Sequence, residues 1–222
     1  MERQSLKIID PVERQPEEGF GQDGMSPMDP PEAYEPPGTE KIALEDLHPF
    51  LRDLTDDHAR LEAQLELLET ALLAVKESGF TREADHAVMR FLSFFDHEFI
   101  PHSQLEEAAL FPLLKERLIA DGEHSQGGEK VTTGVDVMLR EHLKSVQSAA
   151  VVLNLLRLGS VLPDQRSAFI VIDAALKEAE NLIELLRLHM FREDNIVFGQ
   201  AQRLLSSPEL DAMPRPKRPH PH

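Results

Sequence analysis

PHSQLEEAALFP (residues 101–112) and LHMFREDNIVFG (residues 188–199) are two versions of one pattern. His102 aligns with His189, Glu106 with Glu193, Glu107 with Asp194, Leu110 with Val197 and Phe111 with Phe198. A histidine and a glutamate four residues apart share one helix face, one turn from each other. That face is the apolar one: His102 has Phe95, Phe99, Leu105 and Ala109 at helical spacing, and His189 has Leu182, Leu185, Leu186 and Ile196. A buried carboxylate is costly unless a positive group meets it. No Lys or Arg shares these faces in a helical reading, so a metal ion is the economical partner.

Working outward, the periodicity predicts four long helices. Apolar residues recur from Leu44 to Lys76 (Leu51, Leu54, Leu61, Leu65, Leu68, Leu72), and SGFT at 78–81 supplies a break and a threonine N-cap. A second helix is expected over about Arg82 to Ile119, kinked or split near Pro101 and Pro112. A third runs from about Gly134 to Leu158, and after GSVLPDQ a fourth ends near Leu205. Short connections within each pair imply an all-α antiparallel four-helix bundle over residues 43–205. Seven of the 16 prolines fall before residue 40, so residues 1–42 are expected to be a disordered or loosely packed arm. Residues 206–222 are expected to be a flexible, basic tail.

Composition narrows the chemistry. The 222 residues contain no cysteine, which excludes disulfides and thiolate metal sites and leaves imidazole and carboxylate as ligands. A net charge of −17 argues against a nucleic-acid partner, because phosphate binding needs clustered Lys and Arg. No apolar run is long enough for a membrane span and the N-terminus lacks a signal-peptide layout, so the expectation is a cytoplasmic protein without membrane partners.

The duplication extends beyond the two quoted stretches. His58 precedes His102 by 44 residues and His142 precedes His189 by 47, and an acid stands just before each leading histidine, Asp57 and Glu141. Each half therefore reads histidine, hairpin, His-x-x-x-Glu. A lone His-x-x-x-Glu is an ordinary i,i+4 contact, and His58 with Glu62 makes a third copy. Two copies in matching frames, with two further inward histidines on the other two helices, are much less ordinary. His86 and His97 are read as surface or packing residues, and His48, His124, His220 and His222 as helix-end, loop or tail residues.

These residues resemble the hemerythrin-like, or HHE cation-binding, family over about residues 45–205. The resemblance rests on His58, on His102-x-x-x-Glu106 followed by Glu107 and LFP, on His142, and on His189-x-x-x-Glu193 followed by an acid and VF. It implies a four-helix bundle around two non-haem iron ions, with His58, His102, His142 and His189 as terminal ligands and Glu106 and Glu193 as bridges. Oxygen-carrying members have a further histidine one turn after the position of His142, where this chain has Val146, and an aspartate near the position of Glu193. The resemblance therefore points to an iron protein that binds or reacts with peroxide, nitric oxide or oxygen, in oxidative or nitrosative stress defence. An iron- or oxygen-sensing or storage module without turnover is the alternative, and a purely structural bundle is the second. If Val146 faces the core, the more open metal position is the one held by His142 and His189, with Leu139, Val146, Leu186 and Ile196 around it. Glu62 is a further candidate ligand beside His58.

Overall fold

The leucines at 51, 54, 61, 65, 68 and 72 fall on one stripe of α1 (Pro49–Ser78), and all are buried. The helix starts later than its apolar pattern suggests. Leu44–Asp46 form a 3-10 turn, and Pro49 then opens α1, where its missing N–H has no partner to lose. The ring Nδ1 of His48 accepts from the Phe50 N–H at 3.2 Å and closes the N-terminus. The computed structural model describes residues 42–79, 81–125 and 131–215, and among them it is all-α without strands. The expectation of a disordered arm falls on residues outside that range, apart from Ile42.

The second rod is one helical path made of α2 (Arg82–Phe94), α3 (Ile100–Leu105) and α4 (Phe111–Asp121), joined by π-turns at Phe95–Phe99 and Glu106–Leu110. Thr81 caps it as expected, accepting from the Ala84 N–H. Pro101 and Pro112 do not end the rod. A π-turn immediately precedes the α segment that each proline opens, and the wider turn accommodates the ring and the lost N–H. Gly122, in the left-handed conformation at φ 84°, stops α4 by donating back to the last carbonyls.

The third rod is α5 (Gly134–Val161), opened by a capping box between Thr133 and Asp136 and running three residues past Leu158. The fourth is α6 (Gln165–Arg192), a π-turn at Glu193–Val197, and α7 (Phe198–Leu204). Contacts fix the directions. Glu62 and Glu69 pair with Arg187, and Lys76 with Glu180, so α1 and α6 run antiparallel. Lys115 with Asp136 and Glu107 with His142 do the same for the second and third rods.

The segment expected to be a flexible tail begins with a folded turn. Ser206 and Glu209 form a capping box that starts α8 (Ser207–Asp211), Leu210 is buried, and Arg117 reaches Glu209 at 2.7 Å.

The core is split in two. One apolar cluster runs from Leu61 on α1 and Phe99 on the second rod to Ala149 and Met190; the other collects Leu51, Leu54, Leu110, Phe111, Met138, Val197 and Phe198. Between them, on all four rods at one level, lie buried polar side chains.

Candidate metal centre

His58, His102, Glu106, His142, His189 and Glu193 form that level, and each is at most 5 % exposed. His58 lies 20 residues before the end of α1 and His102 lies 20 after the start of α2, so an antiparallel pair brings them level. Their Nε2 atoms are 3.2 Å apart. His142 and His189 are less evenly placed, 19 residues before the end of α5 and 24 after the start of α6. They meet all the same, with Nε2 atoms 3.1 Å apart.

The two glutamates join the pairs. Glu106 places Oε1 3.5 Å from His102 Nε2 and Oε2 3.4 Å from His142 Nε2. Glu193 Oε2 lies 3.1 Å from His58 Nε2 and 3.3 Å from His189 Nε2, and its Oε1 lies 3.9 Å from His142 Nε2. Each glutamate thus touches one histidine pair and the other. Two sets of four, His58/His102/Glu106/Glu193 and His142/His189/Glu106/Glu193, have ligand atoms close enough together to hold a cation. None of the four glutamate oxygens receives a hydrogen bond, although all are fully buried. An unmet buried acceptor costs roughly 1–3 kcal/mol, more when charged. The described ion pairs of Glu106 and Glu193 are with histidine alone.

A second ring of acids orients the imidazoles. Asp194 holds His58 Nδ1 at 2.8 Å, Asp57 holds His102 at 3.4 Å, Glu107 holds His142 at 2.9 Å and Glu141 holds His189 at 3.2 Å. The pattern has two-fold pseudo-symmetry. The acid before each leading histidine serves the second histidine of its own hairpin, and the acid after each inward glutamate serves the leading histidine of the other hairpin. Each carboxylate fixes its ring with Nδ1 outward and Nε2 inward, an arrangement typical of metal-ligating histidine. Phe198 stacks on His58 at 5.6 Å and Phe111 on His142 at 5.7 Å, which extends the pseudo-symmetry to the aromatic wall.

The π-turns explain how consecutive acids serve both rings. Glu106 and Glu193 each begin one, and a π-turn rotates less per residue than an α-turn, so Glu106 and Glu107, like Glu193 and Asp194, address adjacent parts of the interior. The sequence pattern aligned all four outer acids in pairs but did not by itself show their Nδ1 contacts.

Burial opposes charge on His58, His102, Glu106, His142 and His189. It is outweighed at His102, where the Glu106 carboxylate and Asp57 push the pKa up to about 9, and at His58, raised well above the ordinary value by Asp194 and Glu193. At His189 burial prevails and the pKa falls to about 4. Glu106 stays well below the carboxylate range despite its burial, held there by the charges of His102 and His142.

Three sequence expectations change. Val146 is 41 % exposed and does not face the cluster; Ser145, fully buried, takes the inward position after His142. The i+4 spacing placed Val146 beside His142, but the face turned to the core runs through i+3. Glu62 pairs with Arg187 at the surface rather than joining His58. Cationic side chains do approach the level: Arg192 contacts Glu141, and Arg60 contacts Asp57. Both meet outer acids and leave the inner glutamates to the histidines.

Two spaces reach the cluster from the His58/His102 side. The inner one, about 20 Å³, is walled by Leu61, Phe94, Phe99, His58 and His102. The outer one, about 260 Å³, is a cleft lined by His97, Pro101, Gln104 and Arg215 among others. Asp57, Arg60, Glu98 and His102 line both.

Among known families, the one described as the hemerythrin HHE cation binding domain matches residues 50–201, more than half of the chain. No curated protein matches. Among the described residues, no helix is long and apolar enough to cross a membrane.

Proposed function

The chain belongs to the hemerythrin HHE cation-binding family, and on that premise we propose that it is a non-haem di-iron protein that binds or reacts with peroxide, oxygen or nitric oxide. In this reading His58 and His102 would hold one iron ion and His142 and His189 the other, with Glu106 and Glu193 available to both. The observation that carries it is the set of four buried, hydrogen-bond-free glutamate oxygens ringed by imidazole Nε2 atoms. Imidazole and carboxylate together suit iron, and there is no thiolate to favour a softer metal.

Bound iron supplies Lewis acidity and one-electron chemistry toward a small oxidant. The chain's own residues supply the rest. Asp194, Asp57, Glu107 and Glu141 hold the Nδ1 protons, which keeps each Nε2 lone pair available at the centre. Leu61, Phe94 and Phe99 keep the inner space apolar, and about 20 Å³ is room for one water-sized molecule. Hydrogen peroxide, oxygen and nitric oxide are small and carry no charge. The role that follows is defence against oxidative or nitrosative stress.

The test is metal analysis of protein produced with ample iron, followed by stopped-flow mixing with each oxidant. About two iron equivalents per chain and a rapid spectral change with at least one oxidant are expected. Less than half an equivalent of any transition metal would sink the di-iron reading; full loading with no response to any oxidant would sink the reactive one.

A further inference from the structure

Arg60 has no part in holding the central cluster, yet its guanidinium sits where the two spaces adjoin. Its Nη2 lies 2.7 Å from Asp57 Oδ1 and its Nη1 lies 2.6 Å from Glu98 Oε2. Arg60 and Asp57 are both on α1, and Glu98 is in the first π-turn of the second rod, so the Arg60–Glu98 pair straps the two rods together across the passage. Behind the strap is the water-sized space against His58 and His102; in front of it is the outer cleft. The strap can open. The Arg60 side chain is 40 % exposed and its stem can swing into solvent, whereas the Asp57 and Glu98 side chains, at 11 % and 22 %, stay in the wall.

Opening changes the charge of the passage as well as its width. Closed, one guanidinium lies between two carboxylates. With the guanidinium swung out, the Asp57 and Glu98 carboxylates would line the passage without their cation, beside His102, which Asp57 holds at 3.4 Å and which lines both spaces. Such a lining draws in a divalent cation, and a closed strap opposes its passage in either direction.

We propose that Arg60 gates metal exchange: the ion of the His58/His102 half enters and leaves through this passage when the Asp57–Arg60–Glu98 pairs open. The proposal rests on the reading that the half binds a metal. Arg60 acts as a gate and not as a ligand, so it sets rates in both directions. Asp57 also orients His102, and a change that merely loosened His102 would speed release without speeding uptake.

The experiment uses the full chain loaded with cobalt(II), read by its visible absorption during removal by excess EDTA and during uptake by the metal-free protein. Arg60→Ala is expected to accelerate one phase of release, and the matching phase of uptake, by about tenfold, the size expected when two partly exposed ion pairs are lost. Arg60→Lys, whose point charge cannot bridge both acids in fork geometry, falls between. Arg187→Ala, which removes the α6 to α1 pairs with Glu62 and Glu69, is expected to leave both rates unchanged. Unchanged rates in Arg60→Ala, acceleration of release alone, or equal acceleration by Arg187→Ala would each overturn the gate. Diethyl pyrocarbonate labelling of metal-free protein gives a readout that needs no cobalt. The ratio of His102 to His142 modification, measured by mass spectrometry, should rise in Arg60→Ala, and an unchanged ratio counts against the passage itself. Wild type that takes up no cobalt at all would overturn the metal reading, while the labelling still judges the passage.

Discussion

Replacing Glu193 with glutamine should act on the metal-loaded protein far more than on the metal-free one. Oε2 of Glu193 touches a histidine of each hairpin, His58 at 3.1 Å and His189 at 3.3 Å, so this carboxylate belongs to both halves of the centre. Glutamine keeps the volume and one oxygen but loses the charge. Loss of a carboxylate that merely orients a metal-ligating histidine weakens metal binding about 10- to 100-fold, and a carboxylate in the inner set should reach at least the upper figure. At saturating metal a 100-fold loss removes about 2.7 kcal/mol of ligand-linked stability. For a chain of this size that is roughly 5 to 11 °C in the melting temperature of the loaded form, at about 2–4 °C per kcal/mol. The metal-free variant should melt within about 4 °C of metal-free wild type. There the amide removes the charge and one of the two unmet acceptors, and His58 keeps its Asp194 partner at 2.8 Å. The assay is calorimetry of both proteins, each with and without iron(II) under anaerobic conditions, beside metal analysis. Equal metal content and equal metal-induced increments in the two proteins would refute the bridging argument.

Three further outcomes follow from the same geometry. Asp57→Asn and Glu141→Gln are pseudo-symmetric changes, acting on His102 and His189, and each should weaken metal affinity about 10- to 100-fold in a competition titration; full affinity in both variants would show that the outer ring does not orient the ligands. In metal-free protein the raised His102 pKa contributes stability that is present below about 6.5 and lost as pH rises through about 9, so melting temperature should fall over that window while metal affinity rises as the competing proton leaves; an NMR titration of His102 that ends near 6.5 would contradict this. Leu210→Ala should cost about 2–5 kcal/mol in urea denaturation, because α8 packs that side chain into the apolar cluster of Phe111 and Phe198, and a change below 0.5 kcal/mol would mean that the turn is not part of the folded unit.

Much of the candidate site was readable because helical periodicity is a local property. Spacing alone assigned His102, Glu106, His189 and Glu193 to core faces, and the matching halves brought in His58 and His142. The same reasoning misplaced Val146, since at a 3.6-residue period both i+3 and i+4 lie near the face of His142 and only packing chooses Ser145. It also expected Pro101 and Pro112 to kink or split the second helix, and a π-turn divides the rod just before each. What spacing does not give is the form of the break, a wider turn that carries the helical path through each proline.

By itself, then, the sequence determined four apolar stripes, the Thr81 cap, and a pair of histidine–glutamate motifs on the greasy faces, all of them consequences of residues within a few turns of one another. Tertiary structure decided what those motifs meet. The pairing of each Nδ1 with an acid as distant in sequence as Asp194 is from His58, the burial of Leu210, and the Arg60 strap beside His102 depend on which rods are neighbours and at what height. The physical reason is that a side chain's direction is set by its own helix, whereas its partner is set by the registration of two helices, and that registration is a balance of packing over the whole core.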